Sequence, residues 1–459
     1  MKLRLSLAIL AGKITAWVSR FYGHKGSSLP GVVARRIYHG ALRDLAAQVG
    51  RGVLVISGTN GKTTTTNMIV KILGDAGYKV TSNLEGANLI TGVTASLIKD
   101  AGIWGKLNCD YAVLEVDEAS MPGVLREVNA GVVVLTNFFR DQLDRYWELD
   151  KITGIIHDAL HKQKQATLIL NADDPLVAQF QKTTSVPALF YGLGANDQSA
   201  RTGAQTRDGK FCPFCGAALD YRFFHYSQLG LYSCPGCEFS RPVPQVEAFE
   251  PKVEGGQTRC RLVYDGREVE LAVQVQGLYN LYNALAAFSV GLHLGLDSGP
   301  ALDSLGRYRP VTGRMEVFNY KGKLAYLNLV KNPTGFNEGL ATLCAAKGSK
   351  DVFIAINDND ADGRDVSWLW DVDFEMLGED HRLFNSFVCC GLRGEEMAVR
   401  LKYAGVPINK VSINANMHQA IKSALAGSAG AAYLFSTYTA LWPAQKMIKK
   451  LAVEGGAAR

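Results

Sequence analysis

Short apolar runs alternate along this chain with longer stretches in which apolar residues recur every three or four positions. In the first half the runs are "GVLVIS" (52–57), "YKVTS" (78–82), "DYAVLEVDE" (110–118), "GVVVLTN" (131–137) and "ATLILNAD" (166–173). Continuous apolar runs bounded by turn residues fit strands buried on both faces, and helical spacing between them predicts α/β architecture with a doubly wound, mostly parallel sheet. The rhythm stops over 205–250, where Cys, Pro, Phe and Tyr accumulate. It resumes with "TRCRLVYDGREVELAVQVQG" (258–277), whose period of two predicts antiparallel strands, and "NLYNALAAFSVGLHLGL" (280–296), which predicts a helix. A second α/β set follows: "KLAYLNLV", "DVFIAIND", "LFNSFVCCG", "KVSINA" and "AAYLFST". The pattern divides the chain into a helical segment 1–50, a central domain 51–312 with an insertion at 205–250, and a C-terminal α/β domain 313–459. The boundary falls in the Pro/Gly stretch near Thr312.

The first residues carry their own pattern. Leu3, Leu7, Leu10, Ile14, Trp17, Val18 and Phe21 recur at helical steps, with Lys2, Lys13 and Arg20 off that stripe. The expectation is an amphipathic helix packed by the stripe onto its own domain. A helix resting on a membrane surface and a cleaved secretory leader are the alternatives. No run reaches transmembrane length.

Composition narrows the class. The 459 residues are 47% hydrophobic and 20% charged, with a net charge of +6. That balance fits an ordinary globular chain of two or three domains, and the modest charge does not suggest a nucleic-acid binder. Four of the nine cysteines form two C-x-x-C pairs, Cys212/Cys215 and Cys234/Cys237. Two knuckles that each supply two thiolates predict a tetrahedral, structural Zn²⁺ site with no open position. Aromatic residues rather than cations surround it, so a protein contact is expected there instead of nucleic acid.

"VISGTNGKTTTT" (55–66) has the order of a phosphate loop: buried strand, glycine turn, Lys and hydroxyl, then helix. Backbone N–H groups of Thr59, Asn60, Gly61, Lys62, Thr63 and Thr64 would wrap the phosphates of ATP. Lys62 would reach the β/γ-phosphates and the Thr63 hydroxyl would reach Mg²⁺. Ile56 stands where the usual pattern has its first Gly, so the spacing is a variant. Glu115, Asp117 and Glu118 end the third run, where a carboxylate partner for Mg²⁺ is expected. "TNFFRDQLDRY" and "NADDP" place further polar residues at strand ends, among them Asn171 and Asp174.

Together these motifs resemble the Mur ligases and folylpolyglutamate synthases, ATP-dependent amide-forming enzymes. The resemblance implies ATP binding by Thr59 to Thr64, Asn171 and Asp174, Mg²⁺ on Glu115, and adenine contact by Asn280 and Asn283. Three departures are informative: Gln142 replaces the usual metal-binding His, the phosphate loop starts too early for a preceding UDP-binding domain, and the cysteine insertion is foreign to ordinary ligases. With "NDNDADGRDVSWLWDVDFE" (357–375) they resemble the ligase-like subunits of lipid II isoglutaminyl synthase. That branch implies amidation of the D-glutamate α-carboxyl of lipid II through an acyl phosphate. It further implies ammonia from a GatD-type glutamine amidotransferase partner, and a cytoplasmic location at the inner face of the membrane. Asp362 would orient the partner's catalytic His, with Asp365 and Asp358 as fallbacks. Read alone, that loop fits a solvated turn equally well, and it lacks the spacing of an EF-hand. Cys389-Cys390 ends an apolar strand and reads as buried core rather than nucleophile. A conventional amino-acid ligase is the alternative function; it would carry His at position 142 and lack the cysteine insertion.

Overall fold

The computed structural model describes residues 2–456 apart from 22–27, 84–86, 141–148, 196–207, 255–256, 276, 310–312, 314 and 380. The Asp141-Gln142-Leu143-Asp144 segment and Thr312 lie outside the described residues. Two compact units emerge, the first built from residues up to 139, 149–274 and 278–308, the second from residue 309 onward together with Arg140, Val275 and Gly277.

In the first unit β1 (Gly52–Ser57), β2 (Val80–Ser82), β3 (Tyr111–Glu115), β4 (Ala130–Leu135), β5 (Thr167–Asn171) and β6 (Ala188–Leu193) form a parallel sheet. Their residues are largely apolar and fully covered, as strands buried on both faces require. β1 lies between β3 and β4, so the chain builds one side of the sheet from β1 and then the other. A crevice opens beyond the carboxyl ends of the strands at such a switch point, and ligands bind there.

Three helices precede β1: α1 (Lys2–Phe21), α2 (Leu29–Ile37) and α3 (Ala41–Ala46). α4 (Lys62–Asp75) follows β1, and α5 (Ile90–Asp100) lies between β2 and β3. α1 does pack on its own domain, but not by its apolar stripe. Leu5, Ala8, Ile9 and Gly12 face inward, whereas Leu3, Leu7, Leu10, Ile14, Trp17, Val18 and Phe21 all remain exposed. Small residues set this choice, because Gly12 lets α1 approach Ile98 of α5 and Ala34 of α2.

The hairpin β7 (Asp220–Tyr226) and β8 (Leu229–Ser233) belongs to the cysteine-bearing segment, and the chain then re-enters the large sheet as β9 (Val246–Glu254). β9 pairs parallel with β6, so residues 208–245 supply the crossover that two neighbouring parallel strands need. Residues 246–250 of the compositionally distinct stretch are thus already sheet. β10 (Gln257–Tyr264) and β11 (Arg267–Val273) complete the sheet in antiparallel register, as their alternation predicts.

The second unit holds β12 (Glu316–Tyr320), β13 (Lys323–Leu329), β14 (Lys350–Ala355), β15 (Phe384–Cys390), β16 (Val411–Ile413) and β17 (Ala431–Ser436), in the order β12-β13-β17-β14-β15-β16. All pairs are parallel except β12–β13. Apolar clusters cover both faces, one around Phe336, Ile354 and Phe387, the other around Phe353, Leu434 and Ile448.

Candidate nucleotide site and a second strand-end loop

The turn after β1 is shaped by two glycines at positive φ, Gly58 (+124°) and Gly61 (+87°). A side chain at Gly61 would collide with the Asn283 amide, and one at Gly58 with the Thr136 hydroxyl. Only glycine meets both the conformation and the closeness. The loop is pinned from β4. Thr136 Oγ1 donates to Asn60 O (2.7 Å), Asn137 Oδ1 accepts from Asn60 N (2.9 Å), and Thr59 N donates to Asn137 O (2.8 Å). Thr59 Oγ1 in turn accepts from Phe139 N (3.0 Å).

Lys62 opens α4 with its ammonium folded back onto the loop, donating to Thr59 O (3.2 Å) and pairing with Glu118 Oε2 at 3.1 Å. The sequence singles out Lys62 for phosphate; Glu118 as its carboxylate partner is a finding of the structure. Glu115 sits across β1, in register with Ile56. Asn83 clamps its backbone, accepting from Glu115 N (2.8 Å) and donating to Glu115 O (2.7 Å), and Asn88 donates to Oε1 at 3.3 Å. Glu115 Oε2 is buried without a hydrogen-bond partner among the described residues. A buried, unmatched carboxylate oxygen is costly unless a cation supplies the missing partner, so this group fits Mg²⁺.

Asn280 and Asn283 lie on the helix Leu278–His293, both buried, with Asn283 Oδ1 accepting from Thr65 Oγ1 at 3.3 Å. The structure therefore brings Thr59–Thr65, Glu115 and the two asparagines to one end of the sheet. Asn171 and Asp174 are different. The Asn171 amide donates to Thr136 O and accepts from Asp173 N, and Asp174 accepts from Phe138 N (2.9 Å) and Leu176 N (3.0 Å). Burial pushes the Asp174 carboxyl up to about 7, against the lowering effect of those N–H donors. Both side chains are buried and engage backbone groups at the strand ends.

Between them, Asp173 is a residue that sequence reading passed over. Fully buried, it accepts from Arg241 Nε (2.6 Å), Tyr282 O–H (2.6 Å) and Leu193 N (2.7 Å). Arg241 follows the cysteine hairpin and Tyr282 sits beside Asn283, so one carboxylate joins the insertion to the asparagine helix. Burial lowers the pKa of nearby His225 and keeps it neutral, with its ring N–H donating to Leu193 O (3.0 Å).

The four cysteines converge with all Sγ atoms within 4.8 Å of one another, at 3.6 Å for Cys212–Cys237 and 3.4 Å for Cys215–Cys234. Tetrahedral thiolates around Zn²⁺ stand about 3.8 Å apart. Backbone N–H groups of Phe214 and Gly236 point at Cys212 and Cys234 Sγ, the outer bonds that steady metal-bound sulfur. The residues fit the metal.

In the second unit the loop after β14 gathers the remaining candidates. Asp362 is buried, accepting from Thr439 N (2.7 Å), Thr439 Oγ1 (2.5 Å) and Asn359 N (3.3 Å). Asp358 is held by Arg393 at 2.6 Å, and Asp365 accepts from Ser367 N at 2.8 Å. No sequence signal pointed to Thr439, which lies far along the chain. Cys389 and Cys390 are buried as expected, and burial pushes the Cys389 thiol up to about 12, so neither is an activated nucleophile.

Comparison with known proteins accounts for this arrangement. Residues 56–224 match the model of the Mur ligase middle domain and residues 329–441 that of the MurT ligase C-terminal domain. The subunit MurT of lipid II isoglutaminyl synthase (glutamine-hydrolyzing) from Staphylococcus aureus strain N315 is 35% identical over 98% of both chains. The corresponding subunit from Streptococcus pneumoniae is 36% identical over 96% of both. A pseudomurein peptide ligase type C from Methanothermus fervidus shares the fold, with a TM-score of 0.67 over 89% of this chain and 80% of its own at 24% identity. With near-complete coverage by such relatives, and a phosphate loop, cysteine cluster and aspartate loop in the expected places, the chain belongs to the MurT family of Mur-ligase-like, ATP-dependent ligases.

Proposed function

We propose that this chain is the synthase subunit of a two-subunit amidotransferase that converts the α-carboxyl of D-glutamate in the lipid II peptide stem to an amide. The observation that carries the reading is the pairing, at adjoining strand ends, of a phosphate loop with a buried carboxylate oxygen lacking a partner. A carboxylate is a poor electrophile; transfer of the ATP γ-phosphoryl makes it an acyl phosphate and releases ADP, and ammonia then attacks the carbonyl carbon, expelling phosphate and losing a proton to give the amide.

Thr59 to Thr64 cradle the phosphates, Lys62 leaves Glu118 for the transferring phosphoryl group, and Asn280 with Asn283 lies toward adenine. Thr63 and Glu115 hold Mg²⁺, which supplies charge neutralisation when bound. Asn171 and Asp174 keep this end of the sheet in shape. Cys212, Cys215, Cys234 and Cys237 hold a structural Zn²⁺. Ammonia comes from a GatD-type glutaminase partner, because both cysteines of the FVCCG strand are inert. Asp362, fixed from two sides by Thr439 and Asn359, is stiff enough to set the orientation of a His on that partner. No described helix is long and apolar enough to cross a membrane, and the lipid-linked substrate places the enzyme at the inner membrane face.

The test is direct. The chain is purified with and without a co-expressed glutamine amidotransferase, and amidation of lipid II is followed by mass spectrometry with ATP and glutamine. Product that requires both subunits, ATP and glutamine supports the reading. ATP-dependent addition of a free amino acid instead would return the chain to conventional ligase chemistry.

A further inference from the structure

Soluble folds seldom leave a long apolar helix face uncovered, and when they do the face marks a contact. α1 leaves such a face. Leu3, Trp17 and Phe21 are 75%, 69% and 78% exposed, and Leu7, Leu10 and Ile14 stand exposed between them. Trp17 and Phe21 stack on each other with ring centroids 6.2 Å apart. The inward side is already satisfied by Leu5, Ala8, Ile9 and Gly12, so rotation of the helix would bury one set only by exposing the other. Beside α1, Ile103 and Trp104 are 50% and 82% exposed on a turn whose Gly105 packs against Leu5.

Charge identifies the occupant. Residues 1–50 carry eight Lys and Arg against one Asp, whereas the rest of the chain carries 41 against 42. α1 has no acidic residue, and Arg4 and Arg20 flank its apolar face. Lys13, Arg20 and Lys99 line a cleft of about 490 Å³ along the helix. The cleft extends to Asn83, which clamps Glu115. A second copy of the chain would oppose the same positive excess and repel it. An anionic bilayer offers both counterparts: acyl chains for the apolar face and phosphate for the cations. Trp and Phe side by side suit the headgroup boundary.

We propose that α1, with the Ile103–Trp104 turn, docks this enzyme on an anionic phospholipid bilayer, apolar face immersed and basic flank at the headgroups. The proposal rests on the lipid-linked substrate reading, and its test separates the two. Full-length protein is sedimented with phosphatidylglycerol/cardiolipin vesicles or with phosphatidylcholine vesicles, alongside the double variant Leu7→Glu, Trp17→Glu. Both positions are exposed, and an unchanged melting temperature verifies that the variant is folded. The wild type is expected to partition onto anionic vesicles at least tenfold better than onto neutral ones, to lose that preference in high salt, and to lose it in the variant. Within the synthase complex, the variant is expected to amidate lipid II in detergent micelles normally and lipid II in vesicles at least tenfold more slowly. Wild type that ignores anionic vesicles, or a variant that binds them equally, overturns the proposal. So does a variant that instead loses self-association or its amidotransferase partner, because the face then belongs to protein. Absence of amidation in every format would sink the functional reading while vesicle binding still decided this one.

Discussion

The loops after β1 and after β14 stand in equivalent places, each beyond the carboxyl end of a buried parallel strand, yet they are finished differently. In the first, one buried oxygen, Glu115 Oε2, has no partner among the described residues, and Lys62 donates to loop carbonyls and to Glu118. In the second every acidic side chain is spoken for, Asp358 by Arg393, Asp360 by Arg364, Asp362 by Thr439 and Asp365 by Ser367. A site that takes a charged ligand must keep groups in reserve for it, whereas a loop that presents one carboxylate in one direction must be stiff. On the proposed function, the difference separates a binding loop from a positioning loop.

The strongest way to break this distinction is to remove the reserve groups. Lys62→Ala and Glu115→Ala are each expected to lower ATP-dependent amidation by at least ~10³-fold, since charge stabilisation of phosphoryl transfer is lost while the core is untouched. Steady-state kinetics beside a thermal melt checks this; near-wild-type turnover in either variant would move the nucleotide elsewhere. Glu118→Gln should be far milder, because glutamine keeps a side-chain acceptor for Lys62.

Next in size is Asp362→Asn. Shape is kept, but the wrong His tautomer is favoured on the partner, and glutamine-dependent activity should fall by roughly 10³-fold. Amidation driven by added ammonia should survive. Equal loss of both activities would make the second loop a ligand site like the first. Gly61→Ala comes third: its methyl meets Asn283, and KM for ATP should rise by about tenfold to a hundredfold with the fold intact. An unchanged KM would detach Asn283 from the nucleotide.

Outside both loops, Cys234→Ser should abolish one equivalent of bound zinc by metal analysis and open residues 208–245 to protease, because so small an element has little core. Zinc-free wild type of equal protease resistance would refute it. The smallest effect concerns Asp174, whose carboxyl is raised to about 7 by burial. A raised carboxyl contributes stability below its unfolded value and loses it as pH climbs through about 7. Wild type should therefore weaken relative to Asp174→Asn between about pH 4 and pH 7, by on the order of 4 kcal/mol at most. Urea melts at both ends of that range measure the difference, and a flat comparison would show the burial to be less complete.

How much of this was legible beforehand depends on the reach of the signal. The strands, the phosphate loop and the cysteine knuckles are local, so runs, periods and short motifs sufficed to place them. α1 shows the limit of periodicity, which finds a stripe but not its direction: Gly12 and Ala8 turned the helix over. Longer reach defeated the reading altogether. Lys62 finds Glu118 fifty-six positions on, and Asp173 finds Tyr282 at a separation of 109. Asn171 and Asp174 stand on strand ends as expected, but only packing reveals the backbone groups that they bond.

Asp173 also bears on how such a molecule is inherited. An insertion joined to its host only at its two ends can be gained or lost in one genetic event. This one leaves Arg241 buried on a host carboxylate that also steadies Tyr282. Cutting out 208–245 would leave that carboxylate buried with only the neutral Tyr282 O–H and Leu193 N–H as donors, and loss of its charge partner costs several kcal/mol. The segment is therefore locked into the lineage as firmly as a core strand. Anyone trimming the gene to a minimal ligase would have to change position 173 in the same step.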